Sequence, residues 1–272
     1  MLPWHERTAR DLVALLRDDP DVLALAGYGT MADGAADRWS DLDVLLVVRP
    51  RALARYYPSP DWLTPLGRPF AHEVSQDGLK ATLRVCLDDF RRLDIVITTD
   101  EALSRLDEWP TPPFWQGIRL LFSHSAEVEA LLKGPHPPPE FHPMPPHEFE
   151  AMADRFWFKG SVVIAKVMRN DLLIGLHLAL DMMEDCLVPG MILRDRAAGT
   201  THHRHGGPYS DVAKAIDLPS DPCTAQYAPD IAERAALLVD DLGARWSADY
   251  VPRGEIFRRW LNEARAALGD AP

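Results

Sequence analysis

The stretch Gly27-Tyr28-Gly29-Thr30-Met31-Ala32-Asp33-Gly34-Ala35-Ala36-Asp37-Arg38-Trp39-Ser40-Asp41-Leu42-Asp43-Val44-Leu45-Leu46 decides the reading of this chain. An apolar run from Val22 leads into its glycines, and a second run, from Leu42 to Val48, lies between Ser40-Asp41 and Pro50. Both read as buried strands, and the interval has room for one short helix. Asp41 and Asp43 stand two apart at the mouth of the second strand. Strand periodicity therefore sends both carboxylates to one face and Leu42 and Val44 to the other. Two adjacent carboxylates repel each other and are costly unless a cation lies between them; Mg²⁺, a hard ion, suits an all-oxygen site completed by substrate phosphates. Gly29-Thr30 ends the first strand where a helix should begin, so backbone N–H groups and the Thr30 hydroxyl can face an anion at the positive end of a helix dipole. A phosphate clamp beside a metal site suits phosphoryl or nucleotidyl transfer.

Working outward, further strands are expected over 70–74, 79–87, 90–98 and 118–122, with Asp88-Asp89 as a hairpin turn, and an amphipathic helix around Leu12, Val13, Leu15 and Leu16. A third carboxylate is needed on a neighbouring strand, and Asp94, within Phe90-Arg91-Arg92-Leu93-Asp94-Ile95-Val96-Ile97, is the candidate. A charge in so apolar a run must be paired, hydrogen-bonded or metal-bound. The competing reading of Asp94 is a structural ion pair with Arg84, Arg91 or Arg92.

Pro135, Pro137, Pro138, Pro139, Pro143, Pro145 and Pro146 crowd one short tract, a density of fixed φ angles that neither helix nor sheet tolerates. It is taken as a linker, 135–146, between a mixed α/β domain, 1–134, and a helical domain, 147–272, whose helices are expected over 147–169, 171–188, 231–246 and 255–268. The fold class is thus α+β, a mixed sheet followed by an α-helical bundle. Lys166 and Arg169 fall near helical spacing and are candidates for the triphosphate, while Asp181, Glu184 and Asp185 form an acidic stripe that could hold an ammonium-bearing acceptor. The loop around Thr200 to Gly207 offers His203 and Arg204 as further substrate contacts.

With 272 residues, 47% hydrophobic and 26% charged, the composition is that of a globular protein and excludes a disordered or fibrous one. The net charge of -12 works against a nucleic-acid partner and favours a cationic small molecule. Three scattered cysteines, Cys86, Cys186 and Cys223, make no disulfide framework and point to a reducing, cytoplasmic compartment. The N-terminal residues show no secretory signal and no apolar run spans a bilayer, so neither secretion nor membrane insertion is expected.

The order Gly29-Thr30, Asp41-Leu42-Asp43, Asp94 resembles the nucleotidyltransferase superfamily with the DNA polymerase β-like palm. Thr30 stands where serine is more usual there, keeping the hydroxyl. Asp61-Trp62-Leu63, the run from Leu87 to Ile95, Phe156-Trp157-Phe158, Lys166, Arg169-Asn170-Asp171-Leu172 and His177 narrow the resemblance to the aminoglycoside (streptomycin) adenylyltransferase family, over roughly residues 10 to 200. The resemblance implies a polymerase β-like domain that transfers AMP from ATP, or another NMP from its NTP, to a hydroxyl of a small molecule, an aminoglycoside antibiotic in that family, with release of pyrophosphate. It implies Asp41, Asp43 and Asp94 as catalytic residues and Mg²⁺ ligands, Asp94 doubling as general base, and Gly29 and Thr30 on the phosphates. Lincosamide or protein-directed transfer, and a non-catalytic nucleotide-binding regulator, are the alternatives.

Overall fold

A computed structural model describes residues 3–34, 36–109 and 117–136, isolated positions between 155 and 191, and residues 251–252 and 254–269. The chain divides into two units, Met1–Pro139 and Glu140–Pro272.

The first unit is built on a six-stranded mixed sheet. Its strands are β1 (Val22–Tyr28), β2 (Leu42–Val48), β3 (Pro69–Gln76), β4 (Lys80–Leu87), β5 (Arg92–Thr99) and β6 (Ile118–Ser123), in the spatial order β3-β4-β5-β2-β1-β6. β2 and β5 run parallel, and every other neighbouring pair is antiparallel. Residues 49–91, which include β3 and β4, connect the parallel pair.

The two runs that opened the sequence reading are the most buried strands. β1 is buried throughout, and in β2 only Asp43 is less than fully buried. Strand alternation divides the side chains of β2 and β5 between two cores. Leu42, Val44, Leu46, Leu93, Ile95 and Ile97 face one, with Leu83 and Val85 of β4. Helix α1 (Pro3–Leu16) covers this face through Ala9, Leu12 and Leu16, each contact the burial of an apolar side chain worth up to about 1.5–3 kcal/mol for a leucine. Leu45, Val47 and Val96 face the other core, which is closed by Leu103, Trp109, Val128 and Leu132. Asp43 and Asp94 lie on this second face by their alternation with the first set.

Most element boundaries beyond β2 differ from the sequence expectation by a residue or two. β3 runs on to Gln76 and β4 begins at Lys80, and the turn between them is tightened by Asp77 accepting hydrogen bonds from the Leu79 and Lys80 N–H groups. β5 starts at Arg92 rather than at residue 90, because Phe90 has a left-handed backbone, φ 72°, inside the turn between β4 and β5.

In the second unit, Arg155, Phe158, Val162, Leu173, Ile174, His177, Leu178, Leu180, Asp181, Glu184 and Met191 are helical, and one helix spans Gly254–Gly269. The expected helix over 231–246, and all of the expected linker except residues 135 and 136, lie outside the described residues. Among the described residues no helix is long and apolar enough to cross a membrane.

Candidate active site

The site is set by strand register. Asp43 of β2 is the pairing partner of Asp94 on β5, Asp94 that of Arg84 on β4, and Arg84 that of Glu73 on β3. In-register side chains on neighbouring strands share a face. The result is a row of charge, Glu73, Arg84, Asp94, Asp43, running across four strands, with Asp41 two residues before Asp43 at the entry to β2.

Arg84 bridges the row. Its Nε donates to Asp94 Oδ2 at 3.0 Å and its Nη1 to Glu73 Oε2 at 3.4 Å. The competing reading of Asp94 as an ion-pair partner is therefore half realised, with Arg84 as the partner. Arg91 instead serves Asp89, Thr8 and the Leu66 carbonyl, and Arg92 the Trp39 carbonyl. The other oxygen of Asp94, Oδ1, is buried and has no hydrogen-bond partner. Burial lifts the Asp94 carboxyl above its ordinary pKa; Arg84 pulls it down, and the negative charges of Asp41 and Glu73 push it further up. The same crowding of charge reaches Tyr28 at the end of β1. Its hydroxyl is raised well above its usual value by burial and then by Asp94, Asp43 and Asp41.

Gly29 closes the site on the β1 side. It has φ 60° and ψ -137°, and a Cβ there would collide with Asp43 Oδ2 and stand 3.1 Å from its Cγ. Only glycine allows both the backbone conformation and so close an approach of the carboxylate. Thr30 follows, its Oγ1 buried and without a partner. The helix α2 that begins there spans only Thr30–Asp33. One turn of helix sums few peptide dipoles, so the expected dipole contribution is small.

On the opposite side of Asp94 a cavity of about 330 Å³ lies over β3, β4 and β5, lined by Asp41, His72, Glu73, Arg84, Cys86, Arg92 and Asp94. The carboxylates of Asp41, Asp43 and Asp94 are the hard oxygen donors that Mg²⁺ prefers, and Asp94 Oδ1 is left without a hydrogen-bond partner. Among the described residues no group of three or more His, Cys, Asp or Glu side chains is placed to hold a metal ion. A cation here would need further oxygens from a bound ligand.

The structure thus brings together four of the residues selected from the sequence, Gly29, Asp41, Asp43 and Asp94, with Thr30 following Gly29 at the start of α2. Lys166, Arg169, Asp185, His203 and Arg204 lie outside the described residues. Asp181 and Glu184 are helical positions of the second unit, and His177 Nε2 is 3.9 Å from Asp181 Oδ2. Sequence reasoning did not single out Tyr28, His72, Glu73 or Cys86. For Arg84, one of the three arginines named as possible partners of Asp94, a local signal existed: it alternates with Leu83 and Val85 and must face away from their core.

Cys86 lends the cavity a chemical probe. Burial pushes its thiol up to about 11. Near pH 8 its thiolate is then scarce, and the greater nucleophilicity of a more basic thiolate recovers only part of the loss. In a Cys186→Ser, Cys223→Ser background, iodoacetamide should label Cys86 at pH 8 at least about tenfold more slowly than a free cysteine peptide, the deficit shrinking as the pH rises. Labelling at the peptide's rate would show an exposed, unperturbed thiol.

No protein-family model matches this chain, and no curated protein matches it. Among solved structures, it is similar to an aminoglycoside 6-adenyltransferase from Bacillus subtilis, at 11% identity and a TM-score of 0.33, over 100% of this chain and 94% of that one. It is also similar to a cytoplasmic RNA terminal U-transferase (23% identity, TM-score 0.26, 34% of this chain and 29% of that one). A third similarity is to the Cid1 poly(U) polymerase (20% identity, TM-score 0.27, 37% and 32%). All three TM-scores are low, and the functional reading rests on the site's own residues.

Proposed function

We propose that this protein is a Mg²⁺-dependent nucleotidyltransferase that moves AMP from ATP to a hydroxyl of a small cationic molecule, of the aminoglycoside class, and releases pyrophosphate. The observation that carries the reading is the register of Asp43 beside Asp94, with a buried, unpartnered Asp94 oxygen, next to a glycine turn packed on Asp43. Asp41, Asp43 and Asp94 would hold the ion together with triphosphate oxygens. Bound there, Mg²⁺ would draw negative charge from the phosphates and so ease attack and departure.

The turn at Gly29 and the Thr30 hydroxyl would hold the triphosphate on the β1 side of the paired aspartates. The cavity lies on the β3–β4 side, so an acceptor there would approach the α-phosphorus from the side away from the leaving group, as in-line displacement requires. The acceptor oxygen would form the new bond to phosphorus as the bond to pyrophosphate breaks, and Asp94 Oδ1 would accept the hydroxyl proton. Arg84 would stay on Oδ2 and fix the carboxylate's orientation. The net charge of -12, to which Asp181, Glu184 and Asp185 contribute, supports a cationic acceptor. Lys166 and Arg169, together with His203 and Arg204, remain proposed contacts for triphosphate and acceptor respectively.

The test is pyrophosphate release with each NTP, in Mg²⁺ or EDTA, against aminoglycosides, lincosamides and neutral polyols. Turnover with ATP, Mg²⁺ and an aminoglycoside, abolished by EDTA and weakened by salt, is the expected result. Turnover with lincosamides alone, or with a protein or RNA end in their place, would move the acceptor to that class. ATP binding that EDTA does not affect, with no turnover on any acceptor, would leave a nucleotide-binding regulator.

A further inference from the structure

Phe90 has φ 72°, a backbone conformation that bulky L residues rarely adopt. It sits in the turn between β4 and β5, where its N–H donates to the Leu87 carbonyl at 3.0 Å and the Leu87 N–H donates to the Arg91 carbonyl at 2.9 Å. Three-residue hairpin loops of this form normally place glycine at the left-handed position. A phenylalanine there works against the backbone, and its ring contacts offset that cost.

The ring meets Trp39 edge-on, with centroids 5.8 Å apart and planes at 84°. Arg92 lies over the Phe90 ring at 5.8 Å and donates from Nη2 to the Trp39 carbonyl. The neighbouring Ser40 carbonyl is held from the other side by His5 Nε2 of α1, at 3.2 Å, and the His5 ring is fully buried. Residues 37–40 are further folded on themselves, the Trp39 N–H donating to Asp37 Oδ1 at 2.8 Å and the Ser40 hydroxyl to the same oxygen at 3.0 Å. This segment runs directly into Asp41.

We propose that Phe90 is a positioning residue: with Trp39 and Arg92 it forms a clasp between the β4–β5 turn and residues 37–40 that presents Asp41 beside Asp43. The consequence for metal binding rests on the reading given under Proposed function, whereas the clasp does not. Glycine at this position would relax the turn and remove the ring contacts to Trp39 and Arg92, loosening the segment.

The experiment uses the full chain and the variants Phe90→Gly, Phe90→Tyr, Trp39→Leu and the double Phe90→Gly, Trp39→Leu. Amide hydrogen exchange over residues 36–43, Mn²⁺ titration in the presence of a non-hydrolysable ATP analogue, and the melting temperature are measured on each. Phe90→Gly should melt at or above the wild-type temperature, yet exchange about tenfold faster over 36–43 and bind Mn²⁺ about tenfold more weakly. Phe90→Tyr should behave as wild type. The double variant should be no worse than the poorer single one, because both changes open the same contact. Unchanged exchange over 36–43 in Phe90→Gly overturns the clasp. Faster exchange with unchanged Mn²⁺ affinity overturns its role in presenting Asp41. A wild-type protein that binds no Mn²⁺ would remove the metal reading, and the exchange data would still decide the clasp.

Discussion

Asp94→Asn is expected to lower turnover by about 10²-fold or more, the usual scale for loss of a general base and equal to roughly 2.7 kcal/mol of barrier. Asparagine keeps the shape of the side chain. Its amide oxygen can still accept from Arg84 at the position of Oδ2, while the amide nitrogen, which cannot take a proton from the acceptor, replaces Oδ1. Folding should suffer little. Arg84 is 53% exposed at its side chain and keeps both water and Glu73 as partners, so removing the Asp94 charge strands no buried cation. Measuring kcat and melting temperature on one sample separates the roles: near-normal turnover with a large drop in melting temperature would make Asp94 a structural acid.

Gly29→Ala should be nearly as damaging to function, and for a different reason. At φ 60° and ψ -137° an alanine is strained, at a cost of about 1–3 kcal/mol. Its Cβ would also collide with Asp43 Oδ2, turning that carboxylate out of line with Asp94. Loss of turnover on the order of 10²-fold is expected, since a small displacement of reacting groups has effects of that size. Gly34→Ala supplies the control. Gly34 is also left-handed, φ 73° and ψ 11°, but a Cβ there would meet nothing within 4 Å. It should lower the melting temperature through the backbone cost alone, roughly 1–2 kcal/mol, and leave turnover intact. If Gly29→Ala retains wild-type kcat/KM, or the two variants lose activity equally, the close approach of Asp43 to residue 29 has no functional meaning.

Local sequence determined a good part of this protein. The apolar runs that became β1 and β2 and the shared face of Asp41 and Asp43 follow from a period of two, which acts between neighbours in the chain, whereas the close approach of Asp43 that reserves position 29 for glycine is tertiary. The turn at Asp88-Asp89 and the burial of Leu12 and Leu16 were legible for the same reason. Other features depend on strands distant in sequence, and no local period encodes their register. That Asp94 lies level with Asp43 is decided by the parallel pairing of β2 with β5 across the intervening hairpin of β3 and β4. The choice of Arg84 as partner for Asp94 is likewise a matter of the β4–β5 register, which draws Arg84 in while Arg91 and Arg92 turn to Leu66 and Trp39. Even the start of β5 is a tertiary outcome. Residue 90 has a good strand former in phenylalanine, but its ring packs on Trp39, far away in sequence, and its backbone takes a left-handed turn that propensity alone disfavours.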